Sequence, residues 1–333
     1  MKKIAIVTEG DIQLGMGHIT RSLALAEHLR TCGLVIFVTH SPREIQDKIR
    51  NQGFEVMVDK DYEKSIQSFA PDVVVIDKLH VEEKLARFIR QYLACRLVII
   101  GNVSSANQYA HLVVNAVIGA GLHNVRHQDI IYGTLYLEGP AYVVLRDQFY
   151  HLRGQYRKKS DINKILLMFG GSDPANLTCQ ILKQLFAVKD IQQITICLGL
   201  MFPHEDELRR LLELQNSRSS NFPMVNVVRD IKNVPYLMIQ HDFLLTSAGI
   251  TLFEAFCLGV PVLAFFQNEL QRTIFSNYPF TMQDSNQRNV WLLMKQQHEH
   301  YENYLDRVRT MESGQGVHEI VAAIAGQDAT ICD

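Results

Sequence analysis

The feature that most restricts this chain is an alternation: short runs rich in Val and Ile are separated by amphipathic stretches, and the alternation starts afresh past the middle. Residues 4–8, 34–39, 54–58, 73–76, 97–100 and 112–115 read as strands, with helices over 19–32, after Pro42, around 62–69 and over 81–93. Strands this apolar, spaced by helices, predict a parallel sheet with right-handed crossovers. Between Arg146 and Lys164 the pattern lapses into DQFYHLRGQYRKKSDIN, a polar, basic stretch that reads as a linker. A second series follows, with strands over 165–169, 194–198, 225–228, 243–246 and 262–265 and helices over 177–186, 205–214 and 252–258. Residues 289–310 and 318–325 read as closing helices. The expectation is an α/β chain of two Rossmann-like domains: residues 1–150, a linker over 151–163, and residues 164–333 including the C-terminal helices.

Composition narrows the function classes. A chain of 333 residues suits two domains of ~150 residues better than one core. Hydrophobic residues make up 47% and charged residues 20%, which sets disorder and fibrous designs aside. A formal net charge of -2 without a long basic block argues against nucleic acid or an anionic membrane as partner, and favours a small molecule. The six cysteines form no CxxC pair and read as reduced thiols, Cys332 standing alone near the end. The apolar run after MKK is too short for a signal peptide, so a cytoplasmic location is expected. Residues 247–266, the most membrane-like stretch, carry Glu254 and are broken by Gly259 and Pro261, so no membrane insertion is expected.

Three glycine-bearing turns fall at the carboxyl ends of expected strands, where open parallel sheets bind ligands. The first is Gly15-Met16-Gly17-His18-Ile19-Thr20-Arg21. Its glycines let a ligand approach the backbone, and Gly17 and Arg21 are candidate substrate contacts. At a helix start the dipole opposes a positive charge on His18, leaving a neutral ring able to accept a proton; a packed or capping histidine is the plainer alternative. The second turn is Phe169-Gly170-Gly171-Ser172-Asp173-Pro174. It is either an anion-accepting corner or an ordinary turn in which Asp173 or Ser172 caps the helix. The third, Thr246-Ser247-Ala248-Gly249-Ile250-Thr251, opens a helix carrying Glu254. Hydroxyls around a glycine at a helix start suit a diphosphate, and Glu254 can accept hydrogen bonds from ribose hydroxyls.

Competing motifs fail. Asp59-Lys60-Asp61 has the DxD form of metal-dependent transferases but reads as a polar loop, and the histidine pairs at 123/127 and 298/300 lack companion ligands. There is no third glycine for a dinucleotide fingerprint, no GxSxG elbow and no Walker sequence. No metal and no cofactor are expected.

In order, GMGHITRSLALAEHL, VVVID, HLVVN, GPAYVVLRDQF, GGSDPANLT and SAGITLFEAFCLGVPVLAF resemble the UDP-sugar hydrolases of pseudaminic acid biosynthesis, the PseG family, and their spore-coat polysaccharide relatives, SpsG. The likeness spans most of the chain, and the MurG glycosyltransferases are fold-level relatives. It implies a GT-B fold, two Rossmann-like domains whose parallel sheets face an inter-domain cleft. It implies that His18 matches the family's catalytic histidine with Gly17 beside the substrate, and that Gly171 and Ser172 face the diphosphate. Ser247, Gly249 and Thr251 would match the phosphate-binding helix start, Glu254 the ribose-binding acid and Ile231 the position near uracil. Asn268 matches the Asn of an Asn-Gln pair near the sugar, with Glu269 in place of the Gln. Where family members carry an acidic pair after the fourth or fifth strand, this sequence has Ile100-Gly101-Asn102.

The expected reaction is metal-independent hydrolysis of a UDP-linked amino or deoxy sugar to free sugar and UDP, in nonulosonic acid or surface polysaccharide biosynthesis. His18 would activate the water and the helix near Gly249 would stabilise the departing UDP. A GT-B glycosyltransferase with a UDP-sugar donor and a non-catalytic sugar-nucleotide binding protein stand as alternatives.

Overall fold

The structure, a computed structural model, describes residues 1–11, 15–117, 122–216, 222–229, 231–282 and 289–327. Cys332 lies outside them. The chain forms two compact units, Met1–Arg146 with Met311–Asp333, and Asp147–Thr310.

The first unit is built on β1 (Lys2–Thr8), β2 (Gly33–Thr39), β3 (Glu55–Val58), β4 (Val73–Asp77), β5 (Arg96–Ile100), β6 (Leu112–Asn115), β7 (Val125–Gln128) and β8 (Leu135–Glu138). They form one sheet in the order β3-β2-β1-β4-β5-β6-β8-β7. Pairing is parallel except between β7 and β8. Alternate residues of the central strands face opposite sides. Ala5, Val7, Ile36, Val38, Val74 and Ile76 share a core with Ile66 of α3 (Tyr62–Phe69) and with Leu85, Ala86 and Ile89 of α4 (Glu83–Tyr92). Helix α1 (Gly17–Leu29) packs on β1 and β2, and α2 (Arg43–Asn51) packs beside β3.

The second unit contains β9 (Lys164–Met168), β10 (Gln193–Leu198), β11 (Met224–Arg229), β12 (Phe243–Ser247), β13 (Val262–Phe265) and β14 (Thr281–Met282), all parallel, in the order β11-β10-β9-β12-β13-β14. Its helices are α5 (Asp147–His151), α6 (Leu177–Leu185), α7 (Glu205–Asn216), α8 (Val234–Ile239), α9 (Ile250–Leu258), α10 (Glu269–Phe275), α11 (Val290–Glu299) and α12 (Tyr301–Thr310). Ile165 and Leu167 of β9 share a core with Ile181 and Leu182 of α6 and with Val290 and Met294 of α11. On α9, Leu252 through Leu258 are all buried.

The expected fold class, α/β with two Rossmann-like units, is the one observed, with four differences in detail. A short hairpin, β7 and β8, extends the first sheet, and β7 brings an antiparallel edge that the parallel reading did not include. The closing helix expected over 289–310 is two, α11 and α12, divided at His300, whose backbone leaves the helical region (φ -98, ψ 34). The stretch expected as a linker is packed onto the second unit: Ile162 joins its core, the Tyr156 hydroxyl donates to the Asp242 carbonyl (3.0 Å) and Gly154 N donates to the Cys257 carbonyl (3.1 Å).

The fourth difference corrects the domain boundary. Helix α13 (Val317–Ile324), expected with the second domain, belongs to the first unit, where it packs on α1 and β6. Its buried face, Val317, Ile320, Ala323 and Ile324, follows helical spacing. Two further ties hold it: Lys2 Nζ donates to the Ala325 carbonyl, and Arg126 and the Tyr142 hydroxyl both bond Glu319, at 2.8 and 3.1 Å. Ile320 is fully buried, so Ile320→Ala should cost ~2–4 kcal/mol in a denaturant melt. Hydrogen exchange should quicken in β1 and β6 while β9 and β12 keep their protection; quickening confined to the second unit would contradict this assignment.

Candidate active site

In each unit the strand order reverses once on either side of its first strand. The reversal falls between β1 and β4 in the first sheet and between β9 and β12 in the second. Loops at the carboxyl ends of such neighbouring strands diverge to opposite faces and leave a crevice. All three glycine-bearing turns follow one of these strands.

After β1, Gly15 takes a left-handed conformation (φ 74) and its N–H donates to the Asp11 carbonyl (2.8 Å), turning the chain into α1. The helix starts at Gly17, so His18 lies in its first turn, and among the described residues no side chain caps this end. His18, Arg21 and Ser22 are spaced i, i+3, i+4 and share one face of α1. That face meets Asp77, the last residue of β4 and completely buried. The carboxylate accepts from His18 Nδ1 (2.7 Å), Arg21 Nε (2.9 Å), Ser22 Oγ (3.0 Å) and the second arm of the Arg21 fork. Burial alone would raise the Asp77 pKa. The Arg21 charge, then the bonds from Arg21 and His18, outweigh it and hold the carboxyl far below its ordinary value. Burial likewise works against the Arg21 cation, but the Asp77 charge and hydrogen bond more than restore it.

This arrangement fixes the tautomer of His18. A lone pair on Nδ1 facing Asp77 Oδ1 at 2.7 Å would repel it, so Nδ1 carries the proton and donates. Nε2 is then the basic nitrogen, oriented by the carboxylate as in the triad logic of acyl-transfer enzymes. The Arg21 guanidinium also approaches the ring, its Nη2 3.2 Å from Nδ1.

Arg21, expected among the substrate contacts, is therefore committed to Asp77. The Gly101-Asn102 departure is also explained. Gly101 adopts φ 65, and a Cβ there would lie 2.7 Å from Arg21 Nη2, so the site needs a glycine behind the guanidinium. Asn102 ties together three strand ends: its Nδ2 donates to the Leu79 carbonyl (2.8 Å), its N–H to Asn115 Oδ1 (3.2 Å), and its carbonyl accepts from Asn107 Nδ2 (3.0 Å). Sequence reading passed over Asp77, which ended an apolar strand. The available signal was the His-x-x-Arg-Ser spacing on α1, a polar face in need of an anionic partner.

In the second unit the two candidate anion sites part company. After β9, Gly170 turns at φ 86 and Asp173 at φ 45. The Asp173 carboxylate accepts from the N–H groups of Leu177 and Thr178, both at 2.9 Å, and seals the start of α6. The capping alternative holds for this turn, and burial raises the Asp173 pKa despite these bonds. Gly171 and Ser172 precede it, Ser172 buried. Helix α9 is different. Gly249 stands at its N-cap in extended backbone, no acid lies in its first turn, and among the described residues no side chain caps it and the space beside Gly249 Cα is open. Its amides and dipole thus face outward. Ser247 ends β12, and its Oγ lies within van der Waals reach of a Cβ built on Gly170, so the two turns adjoin.

Thr251 is partly exposed in the first turn of α9, and Glu254, one turn on, is 2% exposed. Ile231, half-buried, lies past the end of β11, the edge strand two places from β9. Asn268 is engaged within the chain: its Oδ1 accepts from Gln271 N (2.9 Å) and caps α10. Its neighbour Gln267, not singled out from sequence, bridges to the β9 turn by donating to the Phe169 carbonyl (2.9 Å) and accepting from Ala175 N (3.0 Å). In the DxD-like loop, Asp61 caps α3 by accepting from Lys64 N (3.0 Å), and Asp59 accepts from Ser65 Oγ (3.1 Å). Among the described residues, no helix is long and apolar enough to cross a membrane.

No family model matches the chain. An uncharacterized protein of Methanocaldococcus jannaschii is 40% identical over 285 residues, 83% of this chain and 58% of that protein, so the chain spans under two thirds of its length. The Bacillus subtilis spore coat polysaccharide biosynthesis protein SpsG is 28% identical over 278 residues, 80% of this chain and 78% of that protein. Among solved structures, Acinetobacter baumannii MurG aligns with a TM-score of 0.62 at 13% identity, covering 97% of this chain and 99% of MurG. Anabaena HepE in complex with UDP-glucose aligns with a TM-score of 0.56 at 15% identity, covering 98% of each chain. At these identities the structural likeness concerns the fold, which is that of the GT-B proteins.

Replacing Asp77 with Asn should leave the buried Arg21 charge without its partner and cost ~3–5 kcal/mol in a denaturant melt. Because the folded-state pKa of Asp77 is depressed, its contribution is complete above the ordinary Asp value of ~4 and fades as pH falls below it. The stability of Asp77→Asn should accordingly depend less on pH on the acid side. An acid limb as steep as that of the unaltered protein would show that Asp77 is not the group responsible.

Proposed function

We infer that the chain is a UDP-sugar hydrolase that releases free sugar and UDP, with His18 as general base. The observation that carries this reading is the Asp77–His18 contact of 2.7 Å, which leaves Nε2 as the proton acceptor at the first sheet's reversal point. In the reaction, Nε2 takes a proton from water as the water oxygen bonds the anomeric carbon. The bond from that carbon to the diphosphate oxygen breaks, its electron pair leaves with UDP, and the carbon inverts. Asp77 stabilises the imidazolium that forms. Negative charge growing on the diphosphate is met by the uncapped amides and dipole of α9, so no step calls for a metal.

In this reading the second unit holds the nucleotide. Gly249 and Thr251 serve the phosphates with Ser247, Gly171 and Ser172 alongside, Glu254 receives the ribose and Ile231 adjoins the uracil. Gly17 lies beside the sugar. The SpsG relative supports a place in polysaccharide synthesis, and HepE with UDP-glucose supports a nucleotide-sugar substrate.

A transferase reading is favoured by one observation. The β7–β8 turn presents Ile130 at 99% exposure and Ile131 at 81%, a tip suited to an apolar acceptor or carrier. One assay separates the two. UDP release from UDP-sugars is followed without any added acceptor, beside His18→Ala. Hydrolysis predicts steady release that falls ~10²–10⁴-fold in the variant, with UDP affinity unchanged. Equal rates in both proteins would remove His18 from the mechanism, and release only on addition of an acceptor would turn the reading to transfer.

A further inference from the structure

We propose that Glu9 and Lys78 form the sugar-reading subsite of the first unit, selecting a neutral ring with a hydrogen-bond donor beside an acceptor. This rests on the nucleotide-sugar reading above and names the sugar class that reading left open.

The placement follows from sheet register. Thr8 of β1 pairs with Asp77 of β4 across the reversal point. Glu9 and Lys78 are the next residues along each strand direction, so they leave the sheet side by side. Side chains alternate, and Asp77 faces α1 and His18, so Lys78 turns to the opposite side, toward α3. There its Nζ lies 4.4 Å from the Tyr62 ring centre and 2.5 Å from Glu9 Oε1. The same oxygen accepts from the Tyr62 hydroxyl (2.6 Å), which in turn accepts from His40 Nδ1 (2.5 Å). Two polar clusters, one basic at His18 and one paired at Glu9, thus flank a single strand end.

This second cluster is a costly way to fill the space. The Lys78 side chain is 10% exposed and that of Glu9 18%, and an ion pair this buried carries a desolvation penalty that apolar neighbours would avoid. It is also incomplete. Among the described residues, the side-chain bonds to Glu9 all go to Oε1, leaving Oε2 as an acceptor, and Lys78 retains two N–H donors. An acceptor and a donor held side by side match a sugar hydroxyl pair, or a hydroxyl next to an acylamino group, in bidentate fashion. The two charges offset each other, so the subsite gains nothing from an ionised ligand, and the Glu9 carboxylate repels a uronate.

The test is calorimetric titration of the full chain in a His18→Ala background, which holds turnover down, with UDP, UDP-glucose and UDP-glucuronate. The parent should prefer UDP-glucose to UDP-glucuronate. Glu9→Gln should move that preference toward glucuronate by about tenfold or more, and Lys78→Gln should weaken UDP-glucose by about tenfold, while UDP itself binds all three proteins alike. Tyr62→Phe, which touches only the occupied oxygen, should leave the preference in place. A thermal melt checks each variant, and either of the first two suffices should the other not fold. Unchanged preference in a folded variant that still binds UDP would overturn the subsite alone. Failure of the parent to bind UDP would instead defeat the nucleotide-sugar reading, and the subsite with it.

Discussion

The site depends on one buried carboxylate. Asp77 is completely enclosed at the end of β4, where an unpaired charge would be intolerable, and Arg21, His18 and Ser22 converge on it from one face of α1. The ion pair with Arg21 keeps the carboxyl ionised, ionisation fixes the His18 tautomer, and the tautomer decides which nitrogen is basic. Gly101 belongs to the same chain of necessity, because its missing side chain makes room for the guanidinium.

The two units solve the same topological problem with different chemistry. Each reverses its strand order beside its first strand, and each lifts a glycine-bearing turn out of the resulting crevice. In the first unit the helix start carries a base with an acid behind it. In the second, one helix start is closed by the Asp173 carboxylate and the adjoining one, at Gly249, is left uncapped. Asp173 occupies the Leu177 and Thr178 N–H groups of α6, and this contrast is why the proposed reading gives the phosphates to α9.

The fold was legible because buried parallel strands are spelled out locally, as runs such as VVVID and KILLM. The positions of His18 and Gly249 were legible for a similar reason, since glycine punctuation marks where a strand hands over to a helix. Asp77 was not. Its role appears only when β4 lies beside β1, with Thr8 paired to Asp77 far along the chain and out of chain order, and no local pattern encodes that neighbour. Arg21 read as a ligand contact because it follows a glycine turn, and Asn268 because the resemblance set it near the sugar; here Arg21 bonds Asp77 and Asn268 caps α10. The β7–β8 hairpin escaped notice because its strands are four residues each, and VRHQ is wholly exposed and lacks an apolar alternation.

Helix α13 sets an order of events for a chain made from its amino end. The first sheet is complete in sequence by Glu138, yet the helix that covers part of α1 and β6 is not synthesised until every residue of the second unit has been made. Apolar surface on the earlier half therefore stays uncovered throughout that interval, while the later half already holds all its own elements. The half that is translated first is thus the last to be finished.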